Sequence, residues 1–249
     1  MEMTQDKREK RPRAMGRRKS SLSGDGVTKQ TIMDVAERVF AEQGYLGASM
    51  RLIAEEANVT QALINYYFGS KQNLFEETFA RRGATLMDRY AELLIELTRH
   101  GKRAPTVREL VRAFIKPQIE MHQHGAEGRN FIRMQARLHH EPQEIAFQLR
   151  RRIYDAVTRQ YVEAFEKALP DVSAADVNWR VTFMIGTFLY MLSGVDRLED
   201  LSGGRFHSGN DEEMLERMVQ FLTAGMEAPA TVLAAEIPKP GSRARPKRT

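Results

Sequence analysis

The residues best equipped for chemistry lie between Ser49 and Phe68. Helical spacing places Thr60, Gln61, Ala62, Asn65, Tyr66 and Tyr67 on one face that carries amides and hydroxyls but no aliphatic bulk. Gln and Asn amides can pair with adenine edges in a major groove, and tyrosine hydroxyls can reach phosphate oxygens. Ala62 is small enough to allow close approach or to touch a thymine methyl. Taken singly, Tyr66 and Tyr67 read equally well as core or interface aromatics. They gain meaning from the elements that would position them.

Those elements are short helices. Ile32, Val35, Ala36, Val39 and Phe40 recur at helical spacing, so a helix is expected over about Thr28 to Tyr45, ended by Gly44 and Gly47. Ser49 is a good N-cap for a second helix to about Ala57, Asn58-Val59 is a turn, and Thr60 caps a third to Phe68. Leu52, Ile53 and Ala57 can pack against Ile64 and Phe68. This is the layout of a helix-turn-helix, which sets its second short helix in the major groove.

Downstream the same periodicity continues to about residue 227, with no alternating strand pattern, so the fold class is all-α with about nine helices. A long helix is expected from about Lys71 to Arg99. Thr106 and Glu109 form a capping box for a fifth that ends near Gln123 and is kinked at Pro117. Further helices are expected over Arg129–His139, Pro142–Leu169, Ala174–Leu198 and, capped by Asn210, up to Ala228. The domain reading is a basic disordered arm (1–27), a helix-turn-helix domain (28–75), a ligand-binding and dimerisation domain (76–228) and a basic disordered tail (229–249).

The run from Ile32 to Phe79 resembles the N-terminal domain of TetR-family regulators without a gap. It carries the end of the first helix (Ala36, Phe40, Gly44, Tyr45), the second helix (Ile53, Ala54, Ala57, Val59) and the YYF-x-SK-xx-LF segment that opens the long helix. The resemblance implies that Ser49, Met50 and Arg51 meet the DNA backbone, with Arg51 within reach of a base. It also implies that Thr60, Gln61, Ala62, Asn65, Tyr66 and Tyr67 face the major groove, and that Lys71 contacts a phosphate. Ala62 and Asn65 depart from residues common in the family, so no target sequence carries over.

The resemblance further implies a C-terminal body with a ligand pocket and a two-fold interface. Pocket candidates are Phe114, Met121, Phe131, Met134, Arg137, Leu138, Tyr161 and Phe165, although Met and Phe at helical spacing are more often plain core. Arg137, one turn from Arg133, is a candidate partner for an acid group. The interface candidates are Trp179, Phe183, Phe188 and Met191 on one helix and Met218, Phe221 and Leu222 on the last. The expected partners are a palindromic double-stranded operator, a second copy of the chain as a homodimer, and a small hydrophobic effector, fatty-acid-like or aromatic.

Charge qualifies this picture. The 249 residues carry a formal net charge of +5. Residues 1–27 contribute +4 and residues 238–249 contribute +5, so the body between them carries −4. The stretch from Thr28 to Phe75 has four Lys/Arg against five acids. Phosphate neutralisation is the main source of nonspecific affinity. Arg17, Arg18 and Lys19 of the basic arm are therefore expected to supply it.

Other classes fare poorly. There is no cysteine, hence no disulfide, thiolate zinc site or cysteine nucleophile, which fits a cytoplasmic protein. No apolar run approaches the ~18 residues of a membrane span. His122-x-His124 and adjacent His139-His140 do not share a helical face, so no metal is expected. No phosphate loop or nucleophile elbow marks an enzyme, and no cofactor is expected. The remaining alternatives are a nonspecific architectural DNA binder and a regulator of the same fold that activates without a ligand.

Overall fold

Apolar residues at three- and four-residue spacing fold into helices throughout the described residues, 21–99, 103–194 and 197–230 of a computed structural model. There are eleven α-helices and one 3-10 turn, and no strand among the described residues. The first, α1 (Ser21–Gly47), starts seven residues before the expected Thr28, so the last seven residues of the arm expected to be disordered are helical. Residues 1–20, with Arg17, Arg18 and Lys19, and the tail beyond residue 230 lie outside the described residues. Ile32, Ala36, Val39 and Phe40 are buried on the inner side of α1.

At Gly44 the backbone turns to φ 71°, ψ 176°, a conformation that a side chain strains. Space is also short there, because a Cβ would stand 2.9 Å from Glu141 Oε1. That same carboxylate oxygen accepts the Tyr45 amide at 2.8 Å, tying the end of α1 to a segment 96 residues later.

The reading head continues with α2 (Met50–Glu56) and α3 (Gln61–Phe68). Ser49 Oγ accepts from Leu52 N at 3.1 Å and Thr60 Oγ1 from Leu63 N at 3.2 Å, which are the two caps expected from sequence. Asn58 takes the turn at φ 52°, a left-handed conformation that Asn tolerates.

Behind the head stand α4 (Lys71–Arg99) and α5 (Val107–Gln123), then α6 (Gly125–Arg137), whose end tightens into a 3-10 turn (Leu138–His140). Pro117 does not break α5. Proline has no N–H, so the carbonyl of Ala113, four residues earlier, loses its helical partner. The Tyr161 hydroxyl sits 3.2 Å from that oxygen and 2.9 Å from the Tyr90 carbonyl, and it satisfies the gap.

The helix expected over 142–169 is two helices, α7 (Gln143–Ile153) and α8 (Asp155–Ala168), with a bend at Tyr154. No glycine or proline marks the bend. It is set by tertiary contact: the Tyr154 ring meets Phe79 edge-on at 6.2 Å, and its hydroxyl accepts from Gln135 at 2.9 Å. Likewise the helix expected over 174–198 is α9 (Ala174–Met191) followed by a short α10 (Arg197–Ser202). The last helix, α11 (Asp211–Met226), is capped by Asn210 as expected.

The capping box of α5 is fully made: Glu109 N donates to Thr106 Oγ1 at 3.3 Å, and Thr106 N donates to Glu109 Oε2 at 2.8 Å. Thr106→Ala should cost about 1 kcal/mol in urea denaturation. The Arg103 guanidinium and the two Thr106 donors hold the Glu109 carboxyl down at about 2. A depressed carboxylate stabilises above its ordinary value and loses that contribution as pH falls through the folded one. The stability gap between wild type and Glu109→Gln should therefore close as pH drops from about 4.5 towards 2.

Candidate functional site

On α3 the buried residues are Ile64 and Phe68, so the opposite face is free. Gln61, Ala62, Asn65 and Tyr66 are all exposed, Tyr66 at 81%. Tyr67 is half-buried and packs on the core, with its ring edge-on to both Tyr66 and Phe68. Thr60 is exposed, but its hydroxyl is engaged as the cap of α3. At the start of α2, Ser49 and Arg51 are exposed while Met50 packs inward. The structure thus gathers the amide and tyrosine groups on one protruding surface.

Lys71 has partners within the protein. Its ammonium donates to the carbonyls of Tyr45 at 2.8 Å and Ala48 at 3.1 Å, and it lies over the Tyr45 ring at 4.4 Å. The amine closes the carbonyl end of α1, where the helix dipole favours a cation, and two of its three donors are engaged there. The other cations of the head are paired as well. Lys29 meets Glu77 at 2.8 Å, Arg38 meets Glu56, and Arg51 meets Glu55 at 3.0 Å.

A single buried carboxylate joins the head to α4. Glu37 on α1 is 1% exposed and accepts from Arg81 Nη2 at 2.9 Å and Arg82 Nε at 3.1 Å. Arg81 also reaches Asp34 at 2.7 Å, and Arg82 pairs with Glu127 on α6. The bond from Tyr45 to Glu141 ties the end of α1 to the segment just after the 3-10 turn, and Arg82 links Glu37 of α1 to Glu127 of α6 through α4.

Deeper in the body is a cavity of about 180 Å³. Met87 and Tyr90 of α4, Phe114 and Gln118 of α5, and Gln135 of α6 form part of its wall. Leu138, Tyr154 and Phe188 also line it, and His139, Arg150 and Asp155 bring the charged or titratable groups. Of the sequence-based pocket candidates, Phe114 and Leu138 are here, and so is Tyr154, whose aromatic ring also read as a pocket candidate. Phe131, Met134, Tyr161 and Phe165 are closed into the core at 0–1% exposure. Met121 borders a separate groove beside Thr85 and Leu86. Arg137 is exposed near Gly44, so the arginine at the cavity is Arg150. Gln118 and Gln135 were missed because polar residues on mixed helices carry no periodic signal that they face inward.

The expected interface residues also divide. Trp179, Phe183 and Phe221 are 62%, 61% and 72% exposed, and the Trp179 and Phe183 rings pack at 5.7 Å. Tyr190 continues their stripe along α9. Met191 is half-buried. Phe188, Met218 and Leu222 are instead inside the protomer at 4–6% exposure, because the helical phase turns them to the inner face. Arg180 holds the two helices together by donating to Met226 O at 2.6 Å and Pro229 O at 3.0 Å at the end of α11. No helix among the described residues is long and apolar enough to cross a membrane.

Comparison with known proteins agrees with this geometry. Residues 32–78 match the model described as bacterial regulatory proteins, tetR family, and residues 112–225 match the tetracyclin repressor-like C-terminal domain. The transcriptional regulator BetI of Rhizobium meliloti is 34% identical over 101 residues, 41% of this chain and 46% of that protein. The transcriptional repressor AcnR of Corynebacterium glutamicum is 41% identical over 58 residues, 22% of this chain and 31% of that protein. The transcriptional activator FasR of Mycolicibacterium smegmatis is 28% identical over 125 residues, 50% of this chain and 53% of that protein. The chain thus spans about half or less of the length of these curated relatives. A TetR-like regulator from Rhodococcus sp. RHA1 superposes with a TM-score of 0.60 at 17% identity, covering 82% of this chain and 98% of that one. HlyIIR, a hemolysin II transcriptional regulator, gives 0.56 at 19% identity over 80% of this chain and 98% of that one.

Proposed function

The chain belongs to the TetR family of bacterial transcriptional regulators, and from that premise we propose that it is a dimeric repressor released from a palindromic operator by a small apolar effector. The observation that carries this reading is the double attachment of α6. Gln135 and the following turn residues Leu138 and His139 form part of the cavity wall. The same segment holds the reading head directly through Glu141 to Tyr45, and indirectly through Glu127 to Arg82 of α4, which grips Glu37 of α1. A ligand that moves this wall must also move α1, and with it α3. α4 offers a parallel route, since Met87 and Tyr90 line the cavity while Arg81 and Arg82 grip Glu37.

In the dimer, Trp179, Phe183, Tyr190 and Phe221 of each protomer face their symmetry mates. An apolar patch of this kind is costly to leave in water. Two reading heads then sit on successive major grooves, roughly 34 Å apart. Gln61, Asn65 and Tyr66 read bases and phosphates, with Ser49, Arg51, Thr60, Ala62 and Tyr67 around them. The paired state of the head's own cations leaves the basic residues before α1 to supply phosphate contacts. The effector shifts the balance only if it binds the DNA-incompetent arrangement more tightly. A repressor acts by occupancy alone, which needs no further surface than these.

Selection from a pool of random duplexes tests the reading. The expected result is an enriched palindrome whose half-sites are about one helical turn apart. An architectural binder would enrich nothing once salt is matched. On the selected duplex, Asn65→Ala should weaken binding by about 10- to 100-fold and relax preference at one base position, the size of one bidentate base contact. Removal of residues 1–20 should instead weaken all duplexes alike and flatten the salt dependence. A reporter behind the selected site that rises when the gene is deleted supports repression, and one that falls makes the protein an activator.

A further inference from the structure

The cavity's polar groups define what the effector must carry, an inference that rests on the cavity being the effector site of the regulator proposed above. Gln118 and Gln135 are 3% and 4% exposed, and both line the cavity. Gln135 Nε2 donates to the Tyr154 hydroxyl at 2.9 Å, and the Gln118 side chain lies beside Tyr90 on the cavity lining. The Oε1 atom of each is buried without a hydrogen-bond partner.

Buried polar atoms in folded proteins are nearly always paired, and one left over costs free energy comparable to a lost hydrogen bond. Two such unpaired acceptors, on two residues that line the same cavity with Met87, Phe114, Leu138, Val157, Ile185 and Phe188, are a recognition pattern for a donor on an apolar frame. We propose that the effector is an uncharged, largely apolar molecule with a hydrogen-bond donor, a hydroxyl or amide N–H, directed at Oε1 of Gln118 and Gln135.

A carboxylate is disfavoured. It has no donor and would set its own lone pairs against both amide oxygens. The charged groups lining the cavity do not favour an anion either. Arg150 and Asp155 carry opposite signs, and Arg150 Nη1 is already engaged with His139 Nδ1 at 3.2 Å. Burial, followed by the nearby Arg150, lowers the pKa of His139, which keeps its ring an uncharged acceptor. The volume suits a frame of one or two fused rings, since an apolar cavity of ~150 Å³ holds benzene.

The test is calorimetric titration of the full-length protein with four compounds on one frame: 2-naphthol, 2-naphthamide, 2-methylnaphthalene and 2-naphthoate. The naphthol and the amide should bind at least tenfold more tightly than the hydrocarbon and the anion. Gln118→Met and Gln135→Met keep the side-chain volume and remove the acceptor. Each should reduce the naphthol advantage without weakening 2-methylnaphthalene, and the unchanged hydrocarbon affinity shows that the cavity is still folded. Naphthoate binding wild type as tightly as naphthol would overturn the proposal. So would a naphthol advantage that survives both substitutions, or no naphthol binding up to its solubility. Operator release separates this proposal from the regulatory reading. A donor preference with no change in DNA affinity upholds the ligand chemistry and defeats ligand response. Release by naphthoate but not by naphthol does the reverse.

Discussion

Phe183→Glu combined with Phe221→Glu yields a folded monomer in sedimentation velocity, and its affinity for the selected palindrome falls by about 1,000-fold or more, to the level of random DNA. The size of the effect follows from how a two-fold reader works. Each head contacts one half-site, and the interface makes the second contact nearly intramolecular. Without it, the protein retains one weakly charged head whose cations are already paired with Glu77, Glu56 and Glu55. The substitutions leave the protomer intact because both side chains are mostly in solvent, whereas the core under them is built by Phe188, Met218 and Leu222. Circular dichroism should therefore be unchanged. A variant that still sediments as a dimer would place the interface elsewhere.

The second large effect concerns Glu37. Glu37→Ala should lower stability by about 3 kcal/mol in urea denaturation, the low end for breaking a buried ion pair. The low end applies because Arg81 keeps Asp34 and Arg82 keeps Glu127. The remaining cost is that Arg81 Nη2 and Arg82 Nε lose their common acceptor, and Arg81 Nε is already buried without a partner. The substitution should also separate two properties that wild type couples. DNA affinity without effector should drop modestly, since α1 is less firmly oriented. The further drop caused by a bound effector should shrink, since α4 then grips α1 only through Arg81–Asp34 and Lys29–Glu77. Equal effector response in wild type and variant, at a temperature where both are folded, would show that the Glu37 contacts do not carry the coupling.

The reading head was nearly complete in the sequence because its information is local. The caps at Ser49 and Thr60 act within three residues, and the glycine at position 44 adopts the positive φ that its type suggests. The register between Ile64 and Phe68 fixes which side of α3 is free. Lys71 shows the limit. Its position at the start of α4 was legible, but its partners are carbonyls 23 and 26 residues earlier, and they take two of its three donors.

In the body the balance is reversed. The sequence by itself determined that this protein is all-helical and that its head is a helix-turn-helix. Short-range periodicity, capping and turn chemistry suffice for that, because each depends on neighbours within a turn or two of the chain. Only the tertiary structure decided which apolar residues line the cavity and which fill the core, since Phe114 and Phe131 have the same type and the same helical setting. It also decided the bend at Tyr154, the rescue of the Ala113 carbonyl by Tyr161, and the turning of Gln118 and Gln135 inward. Each of these is a contact between helices. Such a contact depends on the relative placement of faces that no single helix encodes.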